Sequence, residues 1–138
     1  MKDVFGKIKQ YETAGDFTYA SVSDEMLEQS EQILKITIPE EYRQFLKEFG
    51  HGGIGGIEIL GVGKNCKKIF EQETLKYRSY GMPEELIVIE NCDEWVYCIN
   101  TMDGAIVKWL KGCAEYAMAF SSFDEYLLSR LNDIIENM

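Results

Sequence analysis

Four kinds of residue in this chain could do chemistry: one histidine, four thiols, a glycine-rich turn and an excess of carboxylates. The stretch EFGHGGIGGIEILGVGKN, residues 48–65, contains Gly50-x-Gly52-x-x-Gly55, the spacing of a dinucleotide-binding turn, and its GK pair ends like a phosphate loop. A dinucleotide turn works because a strand enters the glycines and a helix leaves them, aiming its first N–H groups at the pyrophosphate. Here an amphipathic helix precedes the glycines and Ile57 opens a strand-like run, so the order is reversed. The phosphate loop also requires glycine where Glu58 stands and serine or threonine where Asn65 stands. The expectation is a helix stop and a turn that lets backbones approach closely, with no nucleotide or other cofactor.

His51 is the only histidine, so any imidazole base or ligand must be this one. Flanked by glycines in GHGG, it is expected to be mobile, whereas a base has to be held within about 3 Å of its partner. A thiol–imidazole pair could draw on Cys66, Cys92, Cys98 or Cys113, and nothing in the spacing singles one out. Their intervals of 26, 6 and 15 residues lack the short chelating pairs of zinc motifs, so no metal is expected. Cys92 and Cys98 lie near strand-like runs and read as small buried hydrophobes. An enzyme reading, a thiol hydrolase using His51, would require activity that vanishes in His51→Ala.

The carboxylates are unevenly placed. Residues 1–81 carry 13 acids and 11 bases, whereas residues 82–138 carry 11 acids and 3 bases, most of the chain's net charge of −10. Such a field repels phosphate backbones and attracts basic proteins, which argues against direct nucleic-acid binding. The alternative is a well-solvated acidic surface with no partner. The 138 residues, 46% hydrophobic, suit one domain spanning residues 1–138 with one core. The longest purely aliphatic run, Leu86–Ile89, is far short of the roughly 20 apolar residues of a spanning helix, so no membrane is expected. The charged, amphipathic MKDVFGKIKQY and the unpaired cysteines predict a reducing cytoplasm.

These residues must be positioned by recognisable elements. Val4, Ile8 and Tyr11 share a helical face between Asp3 and about Glu12. Ser23, followed by Asp24 and Glu25, caps a second helix carrying Met26, Leu27, Ile33 and Leu34. Pro39 suits the first turn of a third, whose stripe is Ile38, Tyr42, Phe45, Leu46 and Phe49 and whose stop is Gly50. Ile57–Leu60 reads as a strand, and Phe70, Thr74 and Tyr77 as a helix ending before Gly81 and Pro83. From Leu86 the period becomes that of a sheet. LIVIEN, EWVYCIN and AIVKWL predict an antiparallel meander, with Asp103-Gly104 supplying positive φ angles to the second turn. Ser122 with Glu125 forms a capping box for a closing helix with Tyr126, Leu127, Leu131, Ile134 and Ile135 on its apolar stripe. The fold class is therefore α+β, an antiparallel meander packed with amino-terminal helices and a closing carboxy-terminal helix. Trp95 and Tyr97 share one sheet face, where they pack in the core or, if no helix covers them, anchor a contact.

IPEEYRQFLKEFGHGGIGGIEILGV resembles the signature region of the SUKH superfamily, in which a helix opens on a hydrophobic residue and proline, runs through an acidic-aromatic stretch and ends at glycines before a strand. LIVIEN, the EWVYCIN to AIVKWL hairpin and SSFDEYLL are similar to the family in content and order, so the likeness covers roughly residues 23–135. The resemblance implies an α+β domain that is not an enzyme. It further implies an immunity protein that binds and neutralises the toxin domain of a bacterial polymorphic toxin system, or else a scaffold or regulatory module with an endogenous partner. No catalytic or contact residue carries over from the family. Charge complementarity points to a basic nuclease as the toxin, and the acidic strand region supplies the candidate contacts: Glu90, Asp93, Glu94, Asp103 and Glu115 for charge, Trp95 and Tyr97 as anchors.

Overall fold

The computed structural model describes residues 2–137. Five helices, α1 (Lys2–Tyr11), α2 (Asp24–Leu34), α3 (Glu40–Phe49), α4 (Ile69–Arg78) and α5 (Phe123–Glu136), accompany four strands, β1 (Leu86–Asn91), β2 (Val96–Asn100), β3 (Ile106–Trp109) and β4 (Ala117–Phe120). The strands form an antiparallel meander in chain order, the α+β architecture expected from the sequence.

Local chemistry explains most helix boundaries. Ser23 Oγ accepts the Met26 N–H at 3.2 Å and starts α2. Pro39 sits one position earlier than expected, as the extended residue before α3, and Gly50 caps its far end at φ 79°. Tyr42, Phe45, Leu46 and Phe49 are fully buried, each burial contributing about 2 kcal/mol. Ser122 Oγ accepts the Glu125 N–H at 3.1 Å, while the Glu125 carboxylate reaches the Ser121 amide and hydroxyl instead of the Ser122 amide. Half of the expected capping box is therefore displaced by one residue.

Alternation along the sheet places helices on both faces. Tyr97 meets Tyr126 of α5 at 5.3 Å between ring centroids, whereas Trp109, paired with Val96 in the neighbouring register, meets Tyr77 of α4 at 6.2 Å. Helices α1 and α3 pack on α5, and α2 packs on α4, so the amino-terminal helices form an outer layer.

Two local readings change, and one strand is new. Ile57–Leu60 is no strand but an irregular segment joined to Gly52 by one bridge at Ile59. Its Leu60 N–H is instead given to Ile89 O of β1 at 2.8 Å. The strand Ala117–Phe120 carries none of the β-branched residues that signal a strand, and pairing with β3 creates it. In the β2–β3 turn only Gly104 takes a positive φ, because the loop is longer than a two-residue hairpin and closes through the Gly104 N–H to Asn100 O.

Candidate functional site

The glycine segment is a backbone crossing point. A Cβ at Gly52, where φ is 130°, would lie 2.0 Å from Asp16 O, and one at Gly61 would lie 1.9 Å from Gly50 O. Both positions require glycine so that three chain segments can touch. The expectation of a mobile His51 is overturned. The residue is 7% exposed, its ring Nδ1 accepts the Gly61 N–H at 3.0 Å, and its Nε2 donates to Glu58 Oε2 at 3.0 Å. Because Nδ1 accepts, the ring proton sits on Nε2, and the imidazole braces the crossing. The thiols are not gathered: Cys66 and Cys113 are exposed, Cys92 is half-buried and Cys98 is buried. Burial pushes the Cys98 thiol up and raises Cys92 to about 11, disfavouring the reactive thiolate in both. Among the described residues no group of three His, Cys, Asp or Glu side chains could hold a metal ion, and no helix is long and apolar enough to cross a membrane.

The acidic strand region divides into an inside and an outside. Glu90 is 4% exposed, and its carboxylate accepts the Tyr126 hydroxyl at 2.6 Å and Arg130 through Nε at 3.1 Å and Nη2 at 2.5 Å. Burial would lower the Arg130 pKa, but the hydrogen bonds and charge of Glu90 outweigh it and hold the guanidinium above its ordinary value. Burial, reinforced by the charge of Glu90, pushes the Tyr126 phenol well up. Glu90 is thus an internal strut rather than an open contact. Tyr97 is also covered, by Tyr126 and Phe120.

Asp93 and Glu94 lie outside, on the β1–β2 turn, and neither carboxylate takes a hydrogen bond or ion pair among the described residues. Asp93 adopts φ 67°, with its amide given to Asn91 Oδ1 at 2.8 Å, an Asx turn that suits this residue type. Half-buried Trp95 follows, its ring edge-on to Tyr97 at 6.1 Å and covered by Lys108 Nζ at 4.5 Å. Trp95, Asp93 and Glu94 border a cleft of about 240 Å³ with Tyr77, Tyr80, Trp109 and Lys111. Asp103 is exposed, and its carboxylate accepts the Ala105 N–H at 2.9 Å; Glu115 is exposed just before β4. The seven candidates therefore do not converge on one patch.

Sequence reasoning missed Arg130, Tyr80 and Lys111. Arg130 stands two turns into the closing helix, and only its 40-residue separation from Glu90 collapses in the fold. Lys111 lies 3.9 Å from the Tyr80 ring centroid, a pairing that no local spacing announces. All three bases of residues 82–138 thereby have partners, Arg130 in Glu90 and the two lysines on aromatic faces, where the lysines keep their positive charge and Lys111 shares the cleft with Asp93 and Glu94.

A family model described as SMI1-KNR4 cell-wall, of the SUKH_5 group, matches residues 1–132. Among solved structures, a protein from Pseudomonas syringae pv. tomato is similar at a TM-score of 0.73 and 20% identity, over 91% of this chain and 94% of that one. At that identity the likeness shows a shared fold.

Proposed function

Because the chain belongs to the SUKH_5, SMI1-KNR4-type family, we propose that it is an immunity protein that binds the toxin domain of a bacterial polymorphic toxin system and neutralises it. The toxin in this reading is a basic nuclease, and the protein acts by covering its cationic surface, without catalysis of its own. One observation carries the proposal: the one histidine and the Glu90 carboxylate are tied up inside, while other carboxylates are presented outside. His51 uses both ring nitrogens to brace the backbone, and Glu90 is neutralised by Arg130, yet Asp93, Glu94 and Glu115 face solvent without partners among the described residues. Nuclease clefts are cationic because they hold phosphates, and exposed carboxylates speed encounter with such surfaces by steering. Trp95, half-buried beside the two acids, offers an apolar anchor of the type that dominates binding energy. A standard interface buries about 1,600 Å² in total, enough to include the turn and its cleft.

The test is co-expression with any toxin domain encoded beside this gene, reading survival and complex formation. Asp93→Asn/Glu94→Lys changes charge while asparagine keeps the left-handed turn, so the fold stays and rescue should fall. Unchanged affinity and unchanged salt dependence in that variant would remove the acidic turn from the contact. A second reading, a regulatory module with an endogenous partner, is favoured by the cell-wall description of the matched family. A wall-synthesis or signalling gene as neighbour, with no toxin gene, would select it.

A further inference from the structure

The two edges of the sheet are finished differently. At the β1 edge, Ile89 O accepts the Leu60 N–H at 2.8 Å and the Val88 N–H is given to Thr74 Oγ1 at 3.0 Å, so backbone groups on that side are used internally. At the other edge, β4 pairs only with β3, and among the described residues none of Ala117–Phe120 makes a hydrogen bond outside that ladder. Its sequence, AMAF, holds no charge and no proline, two of the protections of an edge strand, and only its short length and the register shift opposite Ile106–Val107 blunt it. Ala117 is exposed, Met118 is 67% exposed, and Ala119 and Phe120 are half-buried. Open backbone groups beside apolar side chains are what an added strand requires.

Charge around this edge selects the occupant. Glu115 precedes β4, Glu125 holds Ser121 just after it, and a neighbouring cleft joins Ser121 and Ser122 to Glu40, Glu41 and Asp103. A second copy would bring the same acids and another charge of −10 to the contact, whereas an extended segment bearing Lys or Arg would neutralise them. We propose that the β4 edge is a docking surface on which a cationic protein partner adds a β-strand, with Met118 as its apolar contact. Strand addition here rests on the cationic partner proposed above and gives it a second contact, separate from the Asp93–Glu94 turn.

The test uses the whole protein and a short synthetic peptide of alternating lysine, valine and threonine, with two controls: glutamate in place of lysine, and alternate backbone N-methylation. Binding is followed by amide NMR shifts and hydrogen exchange. The lysine peptide should slow exchange at Ala117–Phe120, and both controls should bind at least about tenfold more weakly. Met118→Lys should weaken the lysine peptide similarly without altering the remaining spectrum. Equal binding of the N-methylated peptide, perturbation confined to residues 93–95, or no binding at all would overturn strand addition. Self-association abolished by Met118→Lys would also overturn it, assigning the edge to a second copy. The toxin rescue assay is independent: peptide docking at β4 without rescue would sink the immunity reading alone, and rescue without docking would sink only the edge.

Discussion

Glu90 and the Asp93–Glu94 pair stand within five residues of one another and carry the same charge, but their surroundings are opposite. Glu90 ends up under α5, where Arg130 and Tyr126 satisfy its oxygens. Three residues later the chain has left β1, and the next two carboxylates project from a turn into water. The difference teaches that an acidic stretch is not one functional unit: its inner member holds the closing helix against the sheet, and its outer members are available to a partner. Removing the first should cost stability, and removing the second should cost recognition.

The largest effect expected is from Arg130→Met, which leaves Glu90 uncompensated. Partial exposure of Arg130 places the loss near the lower end of the buried-pair range, about 3 kcal/mol in urea unfolding. Adding Glu90→Leu to that variant should recover much of it, and a double variant as unstable as Arg130→Met would break the comparison by showing that the pair is not a unit. Tyr126→Phe comes next, at about 2 kcal/mol, because it removes a hydrogen bond to a charged oxygen. Its pH dependence sharpens the assignment. The folded Tyr126 phenol lies above the ordinary value of 10.0, so the stability it confers is complete below that pH and is lost as pH rises toward the folded value. Stability curves above pH 10 should therefore be flatter for Tyr126→Phe than for the parent, and parallel curves would show that the buried phenol does not titrate with unfolding. The smallest expected change is in Asp93→Asn/Glu94→Lys, within about 0.5 kcal/mol, as for surface positions without partners. A loss as large as that of Arg130→Met would place the turn among the structural elements and remove the contrast.

Much of the fold was legible because its signals are local. Ser23 and Ser122 announce helix starts through a hydroxyl acting three residues on, and the α3 stripe repeats at the helical period. Two segments misled in opposite directions. Ile57–Leu60 has strand-forming residues but runs across the glycine crossing, where only Ile59 finds a bridge. Ala117–Phe120 has two alanines of low strand preference and no β-branched residue, and its conformation comes from the partner strand β3. The site was legible in part: Asp93, Glu94 and Trp95 do lie together at a cleft, whereas Glu90 and Tyr97 are covered by side chains of α5. His51, set between glycines, looked loose and is held, because its two partners arrive from Glu58 and Gly61 once the crossing forms.

By itself the sequence determined which segments are helical, the order of the three hydrophobic strands, the acidic imbalance of residues 82–138 and the likeness to one family. Those properties depend on neighbours within a turn or two, or on composition alone. Only the tertiary structure decided which carboxylates are internal, which sheet edge is closed and which is open. Burial and edge satisfaction depend on groups brought from far along the chain, such as Arg130 to Glu90 and Leu60 to Ile89, and no local pattern encodes those meetings.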